Sequence, residues 1–266
     1  MPAALCLLHL RILVLLGAAL SLVPRPAGAA LPDEIQVYTD DINAPGEASM
    51  ELHVNTTPRG RRTPEFPGEV VPNRGLRVTP ELALGLTPTM DAGLYLPATR
   101  DAEGRILFGG PKVRLKWLPL RPAEGATGAF AGLNGEYAWL TRNMEAETRR
   151  FELRPILGWR GEGWLFAFNP VLDWSLNGPG RGGRPGFAPS AKVAKDVGHG
   201  IALGVEFYAD TGRLGRPLAR NEQARTLYFA MEFEKTPVPV HLGIGRGLTD
   251  AADKWTLKAI LEFPFR

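Results

Sequence analysis

Apolar and polar residues alternate with a period of two through most of this chain, and the pattern limits what the chain can fold into. Between positions 76 and 87, for example, Leu76, Leu82 and Leu84 stand at even positions while Arg77 and Glu81 stand at odd ones. A helix would scatter such charges around its circumference, whereas a strand collects them on one face. The sequence therefore predicts an all-β protein.

The alternating segments are separated by stretches rich in Gly and Pro, which is the pattern of strands joined by turns. They number 12, and an even number is typical of antiparallel barrels that close on themselves. No stretch after the first 30 residues approaches 18 consecutive apolar residues, so helical membrane spans are not expected. The predicted strands are 48–57, 75–86, 89–98, 105–119, 129–141, 148–159, 163–175, 188–195, 200–209, 223–234, 238–246 and 253–265.

The beginning of the chain has a different character and predicts a cleavable secretory signal peptide. Residues 12–23 are almost wholly apolar, and small residues follow them up to Ala29 and Ala30, after either of which cleavage fits. The apolar run is too short for a comfortable membrane span. The predicted organisation is a signal peptide over 1–30, an N-terminal periplasmic segment over 31–47 and an outer-membrane barrel over 48–266.

Removal of the signal peptide changes what the composition means. Cys6, the single cysteine, is lost with it, so the exported chain cannot use disulfides. Arg11 and Arg25 are lost as well, which leaves 29 basic residues against 28 acidic ones. The basic pI of the full chain therefore gives no support to a nucleic-acid partner.

Alternation alone does not say which face of a barrel is outside, but the number of strands does. The side chains of about eight strands fill a barrel interior, whereas about 12 strands enclose more space than Leu and Phe can fill. A polar, water-containing lumen meets no such difficulty, and it requires an apolar outer face in contact with lipid. The pattern therefore favours an antiparallel up-and-down transmembrane β-barrel in the outer membrane.

Loop lengths and tryptophans agree with a membrane barrel. Connections such as 87–88 and 197–199 are short and alternate with longer ones such as 58–74 and 210–222, as short periplasmic turns alternate with longer outer loops. Tryptophans fall near the predicted strand ends on the apolar face, where the aromatic belts of membrane proteins lie. They are Trp117, Trp159, Trp164, Trp174 and Trp255.

The polar face of the predicted strands carries the candidate functional residues. Charges on membrane-spanning strands point into protein or water, so this face is expected to line the lumen. Basic residues concentrate near 112–116 and 150–154 and acidic ones near 206 and 232–234, an arrangement that would orient a polar or anionic solute. The predicted lumen-lining residues are Arg77, Glu81, Asp91, Lys112, Arg114, Lys116, Glu136, Arg150, Glu152, Arg154, Asp173, Glu206, Glu232, Glu234, His241, Lys258 and Glu262.

Three stretches resemble hairpins of Gram-negative outer-membrane barrels: 82–96 (LALGLTPTMDAGLYL), 109–117 (GGPKVRLKW) and 200–208 (GIALGVEFY). The chain is most similar to the meta-pathway phenol-degradation (MetA-like) group of outer-membrane proteins and transporters. The resemblance implies a transport role with a small polar or aromatic solute and with outer-membrane lipid as the surroundings. It implies no catalytic residues.

Three functions remain open at this point: a narrow channel or transporter, a structural or partner-binding barrel without conduction, and an outer-membrane hydrolase. For the hydrolase, Ser49 and His53 share a face of one predicted strand, about 13 Å apart by strand rise. No metal-binding spacing and no cofactor motif is recognised, and we expect neither a metal nor a cofactor. The sequence leaves open whether residues 31–47 plug the lumen or lie beneath it.

Overall fold

The computed structural model describes residues 33–123 and 125–265, and the predicted signal peptide lies outside the described residues. Over these ranges the chain forms sixteen strands, and it contains no helix that is long and apolar enough to cross a membrane. The strands are β1 (Ala48–Arg59), β2 (Leu76–Thr87), β3 (Met90–Tyr95), β4 (Ala98–Arg100), β5 (Ile106–Phe108), β6 (Lys112–Leu120), β7 (Gly128–Trp139), β8 (Arg149–Gly161), β9 (Trp164–Ser175), β10 (Gly186–Gly198), β11 (Ile201–Asp210), β12 (Gly212–Arg213), β13 (Arg216–Pro217), β14 (Ala224–Phe233), β15 (Val240–Gly247) and β16 (Trp255–Phe265).

Twelve of the described strands form a closed antiparallel ring, which confirms the predicted fold class. Each ring strand pairs with the ring strands that precede and follow it along the chain, and β1 pairs both with β2 and with β16, so no edge of the ring is left free. The remaining strands, β4, β5, β12 and β13, are short and belong to two of the connections. We call the end at which β1 begins the inner end and the opposite one the outer end. The connections at the inner end are mostly short, as predicted, and 121–127 is the exception.

Two predicted strands are each divided in the structure. The predicted strand 89–98 is divided into β3 and β4, and the break falls at Pro97, which has no N–H to donate to a sheet. The predicted strand 105–119 is divided into β5 and β6 by 109–111, where Gly110 has φ 92°. A Cβ at Gly110 would lie 2.0 Å from the carbonyl oxygen of Trp139, so this position requires glycine.

Prolines inside strands interrupt one pairing on the ring. The pairing of β8 with β9 is interrupted between Leu153 and Leu157, on either side of Pro155. Pro170 on β9 lies in the matching interval. Neither proline can donate a backbone hydrogen bond, so the ladder is broken where they lie.

The outward face of the ring is apolar, and the inward face is polar. On β11, Val205 is 45% exposed while the adjacent Glu206 is fully buried. Such an inversion is expected when lipid rather than water surrounds the ring. The exposed tryptophans form two belts: Trp117, Trp159 and Trp164 lie near the inner end, and Trp139 and Trp255 lie near the outer end.

A small apolar cluster inside the ring fills part of the space near the inner end. Phe130 and Ile156 belong to it, and so does Leu118, which follows Arg114 and Lys116 on the inward face of β6. A Cβ at Gly158 would lie 2.1 Å from the ring of Phe130, so glycine at this position makes room for the phenyl group. This cluster is the only contiguous apolar core among the described residues, and it supports part of the segment that precedes β1.

Truncation inside this cluster is expected to destabilise the barrel. Ile156 is fully buried, so Ile156→Ala should lower the free energy of unfolding by roughly 2–5 kcal/mol through lost burial and the cavity left behind. Leu157→Ala, on the next residue of the same strand, is the matched control, because Leu157 faces outward and is 45% exposed. Urea unfolding of the refolded protein in detergent measures both, and an equal loss in the two variants would contradict the assignment of Ile156 to the core.

Candidate functional site

The residues predicted to line the lumen occur on the inward face at different depths of burial. Glu234 and Glu262, near the inner end, are exposed. The partly buried residues are Lys116, Arg150, Glu152, Asp173 and Glu232. The buried residues are Arg77, Glu81, Asp91, Lys112, Arg114, Glu136, Arg154, Glu206, His241 and Lys258.

Arg114 on β6 joins two carboxylates from neighbouring strands. Its Nε donates to Glu81 Oε1 at 2.6 Å, and its Nη1 donates to Asp91. Lys116 Nζ lies 3.4 Å from the other oxygen of Asp91. A Cβ at Gly93 would lie 2.7 Å from Arg114 Nε, so glycine leaves the space that the guanidinium occupies. Arg114 is therefore a desolvated cation held by two desolvated anions.

Lys112 and Arg154 form a second group of ion pairs nearer the outer end. Lys112 Nζ lies 3.1 Å from Glu136 Oε2 on β7 and 2.8 Å from Asp33 Oδ2, which precedes the first strand. Arg154 Nη1 lies 3.5 Å from Glu34 Oε1. Cations of the wall are thus paired both with the wall and with the N-terminal segment.

Glu206 on β11 is the centre of a third group, near the inner end. Lys258 Nζ donates to Glu206 Oε2 at 2.5 Å, and His241 Nε2 lies 3.1 Å from Glu206 Oε1. Lys192 on β10 forms an ion pair with Glu232. Lysines are therefore paired with Glu206 and Glu232 on the side expected to be acidic, and the expected separation into a basic and an acidic wall is wrong.

Residues 33–41, which we call the plug segment, lie inside the ring. The side-chain oxygen of Asn169 accepts from the Tyr38 backbone N–H at 2.7 Å, and its amide donates to the Tyr38 carbonyl at 3.1 Å. The Tyr38 hydroxyl lies 2.6 Å from that of Tyr95 on β3. Lys258 on β16 donates to the Ile35 carbonyl at 3.0 Å. Contacts with strands on different sides of the ring place the segment within the lumen, which answers the question that the sequence left open.

The plug segment is attached at both of its ends. At the outer end, burial alone would raise the pKa of Asp33, but Lys112 and Arg77 outweigh it and lower that pKa to about 2. The Asp33 carboxylate consequently stays ionised through the physiological range and down to strongly acidic pH. At the inner end, Arg160 on β8 donates to Asp40. Charge-assisted bonds therefore hold the segment along the barrel axis.

Two cavities flank the middle of the plug segment. One, of about 400 Å³, lies at the outer end and is lined by Asp33 and Glu34 together with wall residues such as Arg77 and Lys112. The other, of about 410 Å³, lies at the inner end, where Thr39 and Asp41 line it together with wall residues. The Tyr38 ring lies between these two stretches of the segment, with the Arg154 guanidinium 4.3 Å from its centroid. The lumen is thus divided into two polar chambers by the protein's own chain.

Two clusters of ligand-type side chains occur among the described residues, each with its ligand atoms within 4.8 Å of one another. Their carboxylates already carry partners, because Arg114 binds Glu81 in the first cluster and Lys258 binds Glu206 in the second. A divalent cation would have to displace these groups, so the geometry describes ion pairs rather than a metal centre. The clusters are Glu51, His53 and Glu81, and Glu206, Glu232 and His241.

Ser49 and His53, the pair considered for a hydrolase, have other partners. The Ser49 hydroxyl accepts from the Asn43 amide at 2.8 Å. His53 Nε2 lies 3.2 Å from Glu81 Oε2. A nucleophilic serine needs a base within hydrogen-bond reach, and neither of these contacts supplies one.

Sequence reasoning missed several residues of this site. Lys192 is inward, and its alternation with Val193 on β10 could have revealed it. Asn169, which holds the plug segment, alternates with Phe168 and Pro170 on β9, so period two places it on the polar face but does not indicate its partner. Tyr38 precedes the first strand, so period two carries no information about it.

Removal of the Arg114 guanidinium is expected to be costly. Arg114→Ala would remove the guanidinium from buried Glu81 and leave Asp91 with Lys116 alone, and breaking such a buried group typically costs roughly 3–5 kcal/mol. Arg105→Ala is the matched control, because Arg105 is 72% exposed and its pair with Asp101 lies in an outer connection. Urea midpoints in detergent micelles would measure both, and Arg114→Ala with a midpoint equal to that of Arg105→Ala would argue against a structural role for the cluster.

Comparison with known proteins supports the architecture. No family model matches the chain, and no curated protein matches its sequence. Among solved structures, the COG4313 outer membrane channel from Pseudomonas putida F1 has a TM-score of 0.60 at 11% identity, covering 87% of this chain and 100% of that chain. The NanC porin has a TM-score of 0.50 at 9% identity, covering 82% and 99%. The chain therefore shares its barrel fold with outer-membrane channels and porins.

Proposed function

We propose that this chain is an outer-membrane β-barrel that acts as a narrow channel or transporter for small solutes, with the plug segment controlling passage. The observation that carries the proposal is the polar lumen, with one chamber open toward each end and a single segment of chain between them. A barrel whose only task was structural would need no such chambers. The names of the two similar structures, a channel and a porin, agree with this function.

The proposal includes the finer expectations drawn from the sequence. Export through a signal peptide cleaved after Ala29 or Ala30 would deliver the chain to the outer membrane. Membership of the MetA-like group would add a small polar or aromatic solute. The charged residues predicted to line the lumen would form the walls of the path, and no residue of the chain is assigned a catalytic role.

A structural or partner-binding barrel is the second candidate. The ion pairs that cross from the wall to the plug segment, such as Lys112–Asp33, favour it, because they stabilise a closed lumen. The two functions differ in what happens when the segment is removed. A channel closed by a plug would open, whereas a solid structural barrel would lose stability without conducting.

Membrane location is tested by fractionation. The protein is expected in the outer-membrane fraction and to require detergent for extraction, because its outward face is apolar along the strands. Periplasmic maltose-binding protein and a known outer-membrane porin from the same cells are the controls for the two fractions. Recovery of the mature chain in the soluble periplasmic fraction would overturn the membrane assignment.

The role of the plug segment is tested by planar-bilayer conductance. Deletion of residues 34–40 from the full chain is expected to raise single-channel conductance severalfold, because the segment that divides the lumen is gone. A variant with the same seven positions replaced by Gly and Ser is the matched control, because it keeps a chain of equal length in the lumen but loses the side-chain contacts of Tyr38 with Tyr95 and of Asp40 with Arg160. It should conduct more than the wild type and less than the deletion.

Folding of each form is checked by its heat-modifiable migration on gels before recording. A folded deletion variant with no more conductance than the wild type would show that the segment does not control passage. Absence of current from every folded form would remove the channel function and leave the structural one.

A further inference from the structure

The outer chamber has more carboxylates than cations on its walls. Among the described residues that line it are eight Asp or Glu side chains and five Lys or Arg side chains. The inner chamber shows the same bias, with five Asp or Glu against two Lys or Arg. Both compartments on the path are therefore formally negative.

Most cations in the outer chamber are each held by two carboxylates. Lys112 lies within 3.1 Å of Asp33 and Glu136. Arg150 contacts Asp173 and lies 3.1 Å from Glu145. Each of these groups consists of one cation and two carboxylates, so its formal net charge is −1.

Arg154 forms a third group of the same kind. It lies 2.9 Å from Glu152 and 3.5 Å from Glu34. The three groups together account for the excess of carboxylates in the chamber. The pairing therefore stabilises the walls without cancelling their field.

The other charges of the chamber bind neutral groups. Glu147 accepts from the backbone N–H of Gly180 at 2.5 Å, and Asp210 accepts from that of Gly212 at 2.9 Å. Arg77 donates to the hydroxyl of Thr99 at 3.2 Å. Arg213 donates to a backbone carbonyl. These two cations and two anions balance one another.

This excess does not follow from composition. The whole chain holds 31 Lys and Arg against 28 Asp and Glu, which is a bias of the opposite sign. Part of the compensating positive charge lies in exposed outer connections, for example at Arg181 and Arg220. Salt screens exposed charges over about 8–10 Å, whereas charges in a narrow lumen with low-dielectric walls are screened much less.

From this distribution we infer that the path is selective for cations, and that the solutes it accepts are small cations, such as inorganic monovalent ions and amines, in preference to carboxylates. The inference rests on the proposed channel function and names its substrate class. Rings of acidic side chains favour cations in other channels by the same electrostatic attraction. The result differs from the polar or anionic solute that the charge pattern of the sequence suggested, because the folded lumen brings together charges from separate segments of the chain.

The test is the reversal potential of the refolded protein in a planar bilayer under a tenfold KCl gradient. The expected sign corresponds to K⁺ crossing more readily than Cl⁻, in the wild type and in the variant that lacks residues 34–40. Current with a zero reversal potential, or with the sign for Cl⁻, would overturn the inference and leave the channel function standing. Absence of current in both folded forms would overturn the channel function and this inference with it.

A pair of double variants assigns the selectivity to the chamber. Glu147→Gln with Asp210→Asn removes two negative charges from the outer chamber, while each new amide oxygen can still accept the backbone N–H that the carboxylate binds. The ratio of K⁺ to Cl⁻ permeability is expected to fall. Glu103→Gln with Asp250→Asn removes the same charges from exposed outer connections and is expected to leave the ratio unchanged. An equal effect, or no effect, of the two pairs would overturn the assignment.

Discussion

A ring of twelve strands encloses more space than its inward side chains can fill, and much of the structure follows from how that space is used. Apolar filling is confined to one cluster around Phe130 and Ile156. Charged residues and the plug segment occupy the remainder. Buried cations are stabilised there by direct contact with carboxylates, as Arg114 is by Glu81 and Lys258 by Glu206. Glycines at 93 and 243 leave the space that these two long side chains need.

Much of the ring could be predicted from the sequence, because one face of every long strand contacts lipid and the other the lumen. The difference between the two faces is large on β11, where Val205 and Glu206 have opposite environments, and its predicted bounds nearly coincide with the observed ones. Prediction failed where backbone geometry, rather than the polarity of the two faces, decides where a strand ends or how it pairs. Pro97 divides one predicted strand, and a bulge between Trp117 and Leu120 shifts the register of β6 against β7. A period of two carries no signal for either event.

The candidate site was less predictable than the ring, for a different reason. Alternation indicates that a residue points inward but does not indicate what it meets there. Lys112 meets Glu136 across one strand pair, as a register could suggest, but it also meets Asp33 from a segment without any period. The sign of the net charge in the lumen depends on such groups and not on runs of like charge along the chain. The basic and acidic walls that those runs predicted are therefore wrong.

The position of the plug segment bears on how the barrel is assembled. The segment precedes β1, yet it contacts Tyr95 on β3, Asn169 on β9 and Lys258 on β16, which is the last strand made. Its full set of hydrogen bonds can exist only after β16 has joined β1. The filling of the lumen and the closure of the ring are therefore completed at the pairing of β1 with β16. The sheet thus closes around the segment. A sheet that closed without it would leave Arg160 without Asp40, and Lys112 and Arg154 with only their partners on the wall, so a correctly seated segment is expected to stabilise the closed sheet.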